Sequence, residues 1–272
     1  MQGLRPFIPT KKKVEYLNLL LQVGFDTIDF GSFVSPKAIP QMRDTGTIVP
    51  RLHLESSKTK LLAIVANKRG ALEAAQFDEI SYLGYPFSIS ETFQIRNTNA
   101  TIAESLERVK VIQEICVNSN KTLVIYISMG FGNPYGDDWN VEVVQGWVKT
   151  LTSLGIKIIQ LSDTVGVAQS DSISYLFKNL IPNNPDIEIG AHFHTTPATW
   201  LDKVHSAYEN GCRRFDGTIQ GLGGCPMAQD SLVGNMPSEH LIHYAHIQKH
   251  NLNLNIDAYH EASIMAQRIM IH

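Results

Sequence analysis

Apolar and polar positions alternate along the chain in two rhythms that take turns. A run from Thr10 places Val14, Leu17 and Leu20/Leu21 on one helical face, with Thr10 as its cap, and stops at Gly24. The strand "TIDFGSF" (27–33) follows at once. "KLLAIVAN" (60–67) predicts the next strand, "GALEAAQF" (70–77) a short helix, and "EISYLGYP" (79–86) a further strand. From about Thr101 to Asn118, Ile102, Leu106, Val109, Ile112 and Ile115/Cys116 line one side of a long helix. The alternation continues with the strand "LVIYISMG" (123–130), a helix capped by Asn140 and ended by Gly155, and the strand "IKIIQLSD" (156–163). A helix near 171–181, the strand "IEIGAHFH" (187–194), a helix near 197–210 and the strand "RRFDGTIQ" (213–220) come next. Two helices at about 238–250 and 257–270 close the chain.

At Gly24, Gly155 and Gly211 an amphipathic helix stops at a glycine suited to the left-handed position, and a strand begins directly. Repeated βα units predict parallel strands with helices packed outside, in the α/β class. The count is seven strands, and the chain opens on a helix. A (β/α)8 TIM barrel has eight strands, so the expectation is a barrel lacking its first strand, which would precede Met1. An open doubly wound sheet is the structural alternative. No Gly-rich phosphate fingerprint opens a helix, which argues against dinucleotide binding. With 272 residues and no low-complexity stretch or Pro/Ser/Gly linker, residues 1–272 are expected to form one domain.

The net charge of −3 gives no support to a nucleic-acid partner. Lys11-Lys12-Lys13 is the closest candidate for a basic patch, and it reads as the solvated first turn of a helix. No apolar run approaches ~18 residues, so no membrane span is expected. The N-terminus lacks the layout of a secretory signal peptide. Three cysteines do not form a disulfide framework, so a reducing, cytoplasmic compartment is expected. Cys116 and Cys212 read as buried small hydrophobes.

The candidate chemistry gathers at predicted strand ends. His192 and His194, in "GAHFHTTP", are two residues apart on a strand and point to the same face. They are either half of a divalent-metal site or a hydrogen-bonded pair at the barrel rim. Asp163 ends the preceding strand, where a carboxylate can orient an imidazole, act as a base, or cap a turn. Cys225 sits in the Gly-rich segment "GLGGCPMAQD" (221–230), as a general acid, a nucleophile or an incidental turn residue. Asn235, in "VGNMPSE", offers an amide oxygen. Two neutral histidines and an amide bring no charge to a metal, and hard divalent ions favour carboxylates. Asp29 and Asp163 are the in-chain candidates for that carboxylate.

At these residues the sequence resembles the 3-hydroxy-3-methylglutaryl-CoA lyases, a family of metal-dependent (β/α)8 enzymes. The resemblance covers essentially the whole chain. It rests on "FIPT" (7–10), "SFVSPKAIPQM" (32–42), "SETF" (90–93), "NPYGD" (133–137), "SDTVGVA" (162–168), "GAHFHTTP" (190–197) and "GLGGCPMAQD…VGN" (221–235). The "FVSPK" and "GGCP" segments separate this family from the isopropylmalate and citramalate synthases, which share a His-x-His pair.

The resemblance implies cleavage of 3-hydroxy-3-methylglutaryl-CoA to acetyl-CoA and acetoacetate, a step of leucine degradation and ketone body formation. It implies Mg²⁺ or Mn²⁺ held by His192, His194 and Asn235. Cys225 would protonate the departing enolate, Asp163 would act near the metal as base or orienter, and Asp29 would pair with an active-site arginine. Gln2, Gly223, Gly224 and Glu239 would meet the substrate. It further implies an acyl-CoA partner and a homo-oligomer, a dimer. The family's first strand ends in an Arg-Asp pair that supplies the arginine and a metal-binding Asp, and "MQGL" (1–4) matches the stretch just after it. The pair is therefore expected upstream of Met1; the alternative is a short form with an open barrel edge. Two other functions stay open: a Claisen-type acyl-CoA synthase, and a non-catalytic barrel that binds acyl-CoA or metal.

Overall fold

The computed structural model describes residues 1–2, 4, 6–223 and 233–270. Helix α1 (Thr10–Val23) leads into β1 (Thr27–Ser32), followed by the single-turn α2 (Thr45–Ile48) and β2 (Lys60–Ile64). Then come α3 (Lys68–Ala74), β3 (Ile80–Ser88), α4 (Glu91–Thr98), α5 (Ile102–Asn118), β4 (Thr122–Ser128), α6 (Val141–Ser153) and β5 (Ile158–Asp163). The order ends with α7 (Ser170–Asn183), β6 (Glu188–Phe193), α8 (Trp200–Glu209), β7 (Phe215–Asp216), α9 (Ser238–Ile247) and α10 (Ile256–Met270).

Every strand pairs in parallel with the next one in sequence, in the order β1 to β7. A doubly wound sheet reverses its strand order at a switch point, and no reversal occurs here. The fold is a (β/α)8 TIM-type barrel with seven strands among the described residues, curled between edges β1 and β7. Alternate strand residues face opposite ways. Leu62, Tyr82, Val124 and Ile158 form a small cluster inside the curl. Their outward neighbours, among them Leu61, Leu83, Ile125 and Ile159, join the helices in the main core.

Local signals account for several element ends. Thr101 and Glu104 form a reciprocal capping box at the start of α5, and the Asn140 side chain accepts the Val143 N–H at the start of α6. Gly24, Gly155 and Gly211 all take positive φ, at 85°, 84° and 96°, where the sequence places helix stops. Cys116 and Cys212 are buried and free.

Three expectations are corrected. Thr10 does not cap α1: Pro9 holds the cap position, and the Thr10 hydroxyl donates to Asp44 at 2.8 Å. Lys13 is not solvated. It is 0% exposed, with Nζ 2.7 Å from Asp44 Oδ1, hydrogen-bonded to the Gln41 carbonyl and lying over the Phe7 ring. The segment 40–51 packs across this turn of α1 and brings a buried counter-charge that helical periodicity cannot reveal. The last strand spans only Phe215–Asp216, since the chain turns at Thr218 into a short 3-10 segment (Ile219–Gly221). Helix α4 is an addition within "SETFQIRNT". It starts where the Ser90 side chain accepts the Phe93 N–H, and its mostly polar composition hid it.

Candidate active site

Strands β4 to β7 bring four larger polar side chains together in the barrel interior: Tyr126, Gln160, His192 and Asp216. Adjacent-strand pairing sets this alignment, with Tyr126 beside Gln160 and His192 beside Asp216. His192 Nδ1 lies 3.0 Å from Asp216 Oδ2, and Gln160 Nε2 donates to Asp216 Oδ1 at 2.7 Å. The Tyr126 ring meets the His192 ring edge-on, with centroids 5.8 Å apart.

His194 follows on the same face, its ring centroid 5.7 Å from that of His192. It is 5% exposed. Burial, then the charges of His192 and Lys203, lower its imidazole pKa to about 4, so it is neutral at physiological pH. Burial also lowers the His192 pKa, but the hydrogen bond and charge of Asp216 outweigh it, and the net shift is upward.

Asn235 pairs with His194 through an isolated antiparallel bridge, and its Nδ2 donates to the Leu222 carbonyl at 3.2 Å. Gly223 adjoins it; a β-carbon there would lie 3.2 Å from Asn235 Nδ2. His192, His194 and Asn235 therefore come together. Among the described residues, no group of three or more His, Cys, Asp or Glu is placed to hold a metal ion.

Asp29 projects from β1 into the same interior. Its surroundings of protein and the facing Asp216 charge both push its carboxyl above the usual carboxylate range, against a pull from His192. Water reaches the side chain, which softens the effect of burial, but the Asp216 repulsion acts in the same direction.

Asp163 lies elsewhere. On β5, Ile158, Gln160 and Ser162 face inward, so Asp163 faces the helices. There it sits 2.5 Å from Lys203 Nζ of α8 and accepts the Ala168 N–H. Lys203 also donates to the carbonyls of Gly166 and His194, at 2.9 and 3.0 Å. Glu239, in the first turn of α9, accepts the Gln220 N–H with both carboxylate oxygens, at 3.1 and 3.0 Å. Gln2 is exposed in a turn. Gly224 and Cys225 lie outside the described residues.

Sequence reasoning missed Asp216, Gln160, Tyr126 and Lys203. For Asp216 a signal existed: a carboxylate in "RRFDGT", near the end of the last strand, where an apolar residue would suit a packed core.

No helix among the described residues is long and apolar enough to cross a membrane. The chain is 34% identical over 243 residues to a hydroxymethylglutaryl-CoA lyase of Bacillus subtilis, covering 89% of this chain and 80% of that protein. An HMG-CoA lyase structure from Brucella melitensis superposes with a TM-score of 0.91 at 28% identity, covering all of this chain and 95% of the other. An HMG-CoA lyase from Acinetobacter baumannii, solved with coenzyme A and 3-methylmalate, gives a TM-score of 0.90 at 29% identity, covering all of this chain and 88% of that one. The HMGL-like family model matches residues 1–265, and the chain belongs to that family.

Proposed function

We propose that this protein is a metal-dependent carbon–carbon lyase that cleaves 3-hydroxy-3-methylglutaryl-CoA to acetyl-CoA and acetoacetate. The observation that carries this reading is the pair of inward histidines at the end of β6, with Asp216 on His192 and Asn235 beside His194. The donors fit a divalent cation. His194 is held neutral, His192 turns Nδ1 to a carboxylate, and Asn235 Nδ2 is occupied by Leu222, which leaves Oδ1 as its donor end. His192, His194 and Asn235 would hold Mg²⁺ or Mn²⁺, whose Lewis acidity would lower the pKa of the substrate's tertiary hydroxyl and stabilise developing negative charge.

The chain's own residues then divide the work. Asp29, held above the ordinary carboxylate range, takes up the hydroxyl proton in the barrel interior. Loss of that proton lets the C2–C3 bond break to give the ketone of acetoacetate and the enolate of acetyl-CoA. The Cys225 thiol delivers a proton to that enolate carbon and is reprotonated before the next cycle. Asp163 is a positioning residue that acts through Lys203 on the His194 carbonyl. Gln2, Gly223 and Gly224 meet the acyl-CoA. Glu239 acts on the same Gly-rich segment by fixing the Gln220 N–H at its base. The coenzyme A held by the Acinetobacter lyase supports an acyl-CoA partner here. Two free, buried cysteines suit a cytoplasmic setting.

The test is to incubate the purified protein with 3-hydroxy-3-methylglutaryl-CoA and Mg²⁺ or Mn²⁺ and to assay both products. Equal amounts of acetoacetate and acetyl-CoA are expected, with His194→Ala losing turnover and Cys225→Ser losing turnover far more than substrate binding. Condensation of acetyl-CoA with a 2-oxo acid, without cleavage, would overturn the lyase reading in favour of a synthase.

A further inference from the structure

We propose that Asp216 and Gln160 are positioning residues that hold His192 with its proton on Nδ1, so that Nε2 presents its lone pair to the barrel interior. Three observations lead there. A carboxylate only accepts hydrogen bonds, so the 3.0 Å contact from Asp216 Oδ2 requires a proton on His192 Nδ1. The other oxygen, Oδ1, accepts from Gln160 Nε2 at 2.7 Å, so both oxygens are engaged and the carboxylate cannot turn. Tyr126 stands edge-on to the imidazole and restricts its rotation.

Gln160 is itself oriented for this task. Its Oε1 is buried with no hydrogen-bond partner among the described residues. It occupies the space left by the missing side chain of Gly190, where a β-carbon would lie 1.8 Å away. An unpaired buried acceptor is unfavourable, and the Nε2 bond to Asp216 is the hydrogen bond that this orientation of the amide secures. The relay thus runs across three adjacent strands, from β5 through β7 to β6.

The consequence for a metal rests on the cation site proposed above, but the tautomer does not. Two measurements separate them. In metal-free protein at alkaline pH, nitrogen-15 NMR of the labelled imidazoles should show His192 protonated on Nδ1. Asp216→Ala should shift it toward the Nε2-protonated form that free imidazole side chains favour. Asp216→Asn should retain the native tautomer, because its amide oxygen can still accept from Nδ1 while Gln160 turns its amide.

In a Mn²⁺ titration, Asp216→Ala should raise the dissociation constant about 10- to 100-fold. Gln160→Met, which keeps the carboxylate and removes its partner, should raise it less and broaden the tautomer signal. A His192 still protonated on Nδ1 in Asp216→Ala, or a signal in Gln160→Met as sharp as in wild type, would overturn the proposal, and the sharpness of the Gln160→Met signal decides it if Asp216→Ala does not fold. Wild-type protein that binds no Mn²⁺ but shows the tautomer shift would instead overturn the metal reading and leave the relay standing.

Discussion

Lys203 and Asp163 meet 2.5 Å apart on the helix-facing side of the sheet, almost wholly removed from solvent. The ammonium also holds the carbonyls of Gly166 and His194, so one buried cation ties the end of β5 to the end of β6. Removing one partner of a buried pair leaves the other uncompensated. Lys203→Met should therefore destabilise the fold by about 3–5 kcal/mol, read from urea unfolding, and Asp163→Asn/Lys203→Met should recover much of that loss. A single variant as stable as wild type would show that the pair is solvated in solution.

The lysine cluster near the start of α1 should split sharply. Lys11 is exposed and its contact with Glu15 is 3.9 Å, so Lys11→Ala should change stability by no more than about 0.5 kcal/mol. Lys13 is buried against Asp44 and Phe7, and Lys13→Ala should cost about 3–5 kcal/mol. Equal effects in thermal or denaturant unfolding would contradict the packing of segment 40–51 over this turn.

Gly190→Ala should disturb the site without touching a histidine. The added methyl meets Gln160 Oε1 and must displace it, which breaks the hydrogen bond to Asp216. Overpacking of this kind costs about 1–3 kcal/mol. A lowered melting temperature is expected, together with weaker Mn²⁺ binding. A crystal structure of the variant with Gln160 unmoved would rule this account out.

His194 should impose a pH dependence on the metal-free protein. Its folded pKa, lowered to about 4, lies below the ordinary histidine value of 6.5. Between those values the unfolded chain binds a proton that the native state refuses. Stability from this group is thus fully present above about pH 6.5 and lost as pH falls toward about 4, on the order of 3 kcal/mol in all. His192 shifts the opposite way, so the comparison is with His194→Gln, whose stability should fall less over the same window. Parallel curves for the two proteins would remove His194 as the cause.

Much of the fold was legible because each βα unit is encoded locally. Capping at Thr101 and Asn140 depends on residues within a few positions, as do the helix stops at Gly24, Gly155 and Gly211. The shared face of His192 and His194 follows from strand alternation alone. Alternation also settles Asp163: with Ile158 in the inner cluster, Asp163 must face the helices. Knowing which parity points inward required the neighbouring strands, so the sequence left its role open.

By itself the sequence determined the alternation of strands and helices, the parallel class of sheet, and two imidazoles at a strand end. Tertiary structure decided which carboxylate serves them. Asp216 is 24 residues from His192 and reaches it only because β7 pairs beside β6 in a register that sets the two residues side by side. It likewise decided that Lys13 is buried, through Asp44 at a separation of 31 residues. Periodicity reports which face of an element is apolar. It does not report which distant segment will cover that face, because that depends on packing between elements far apart in the chain.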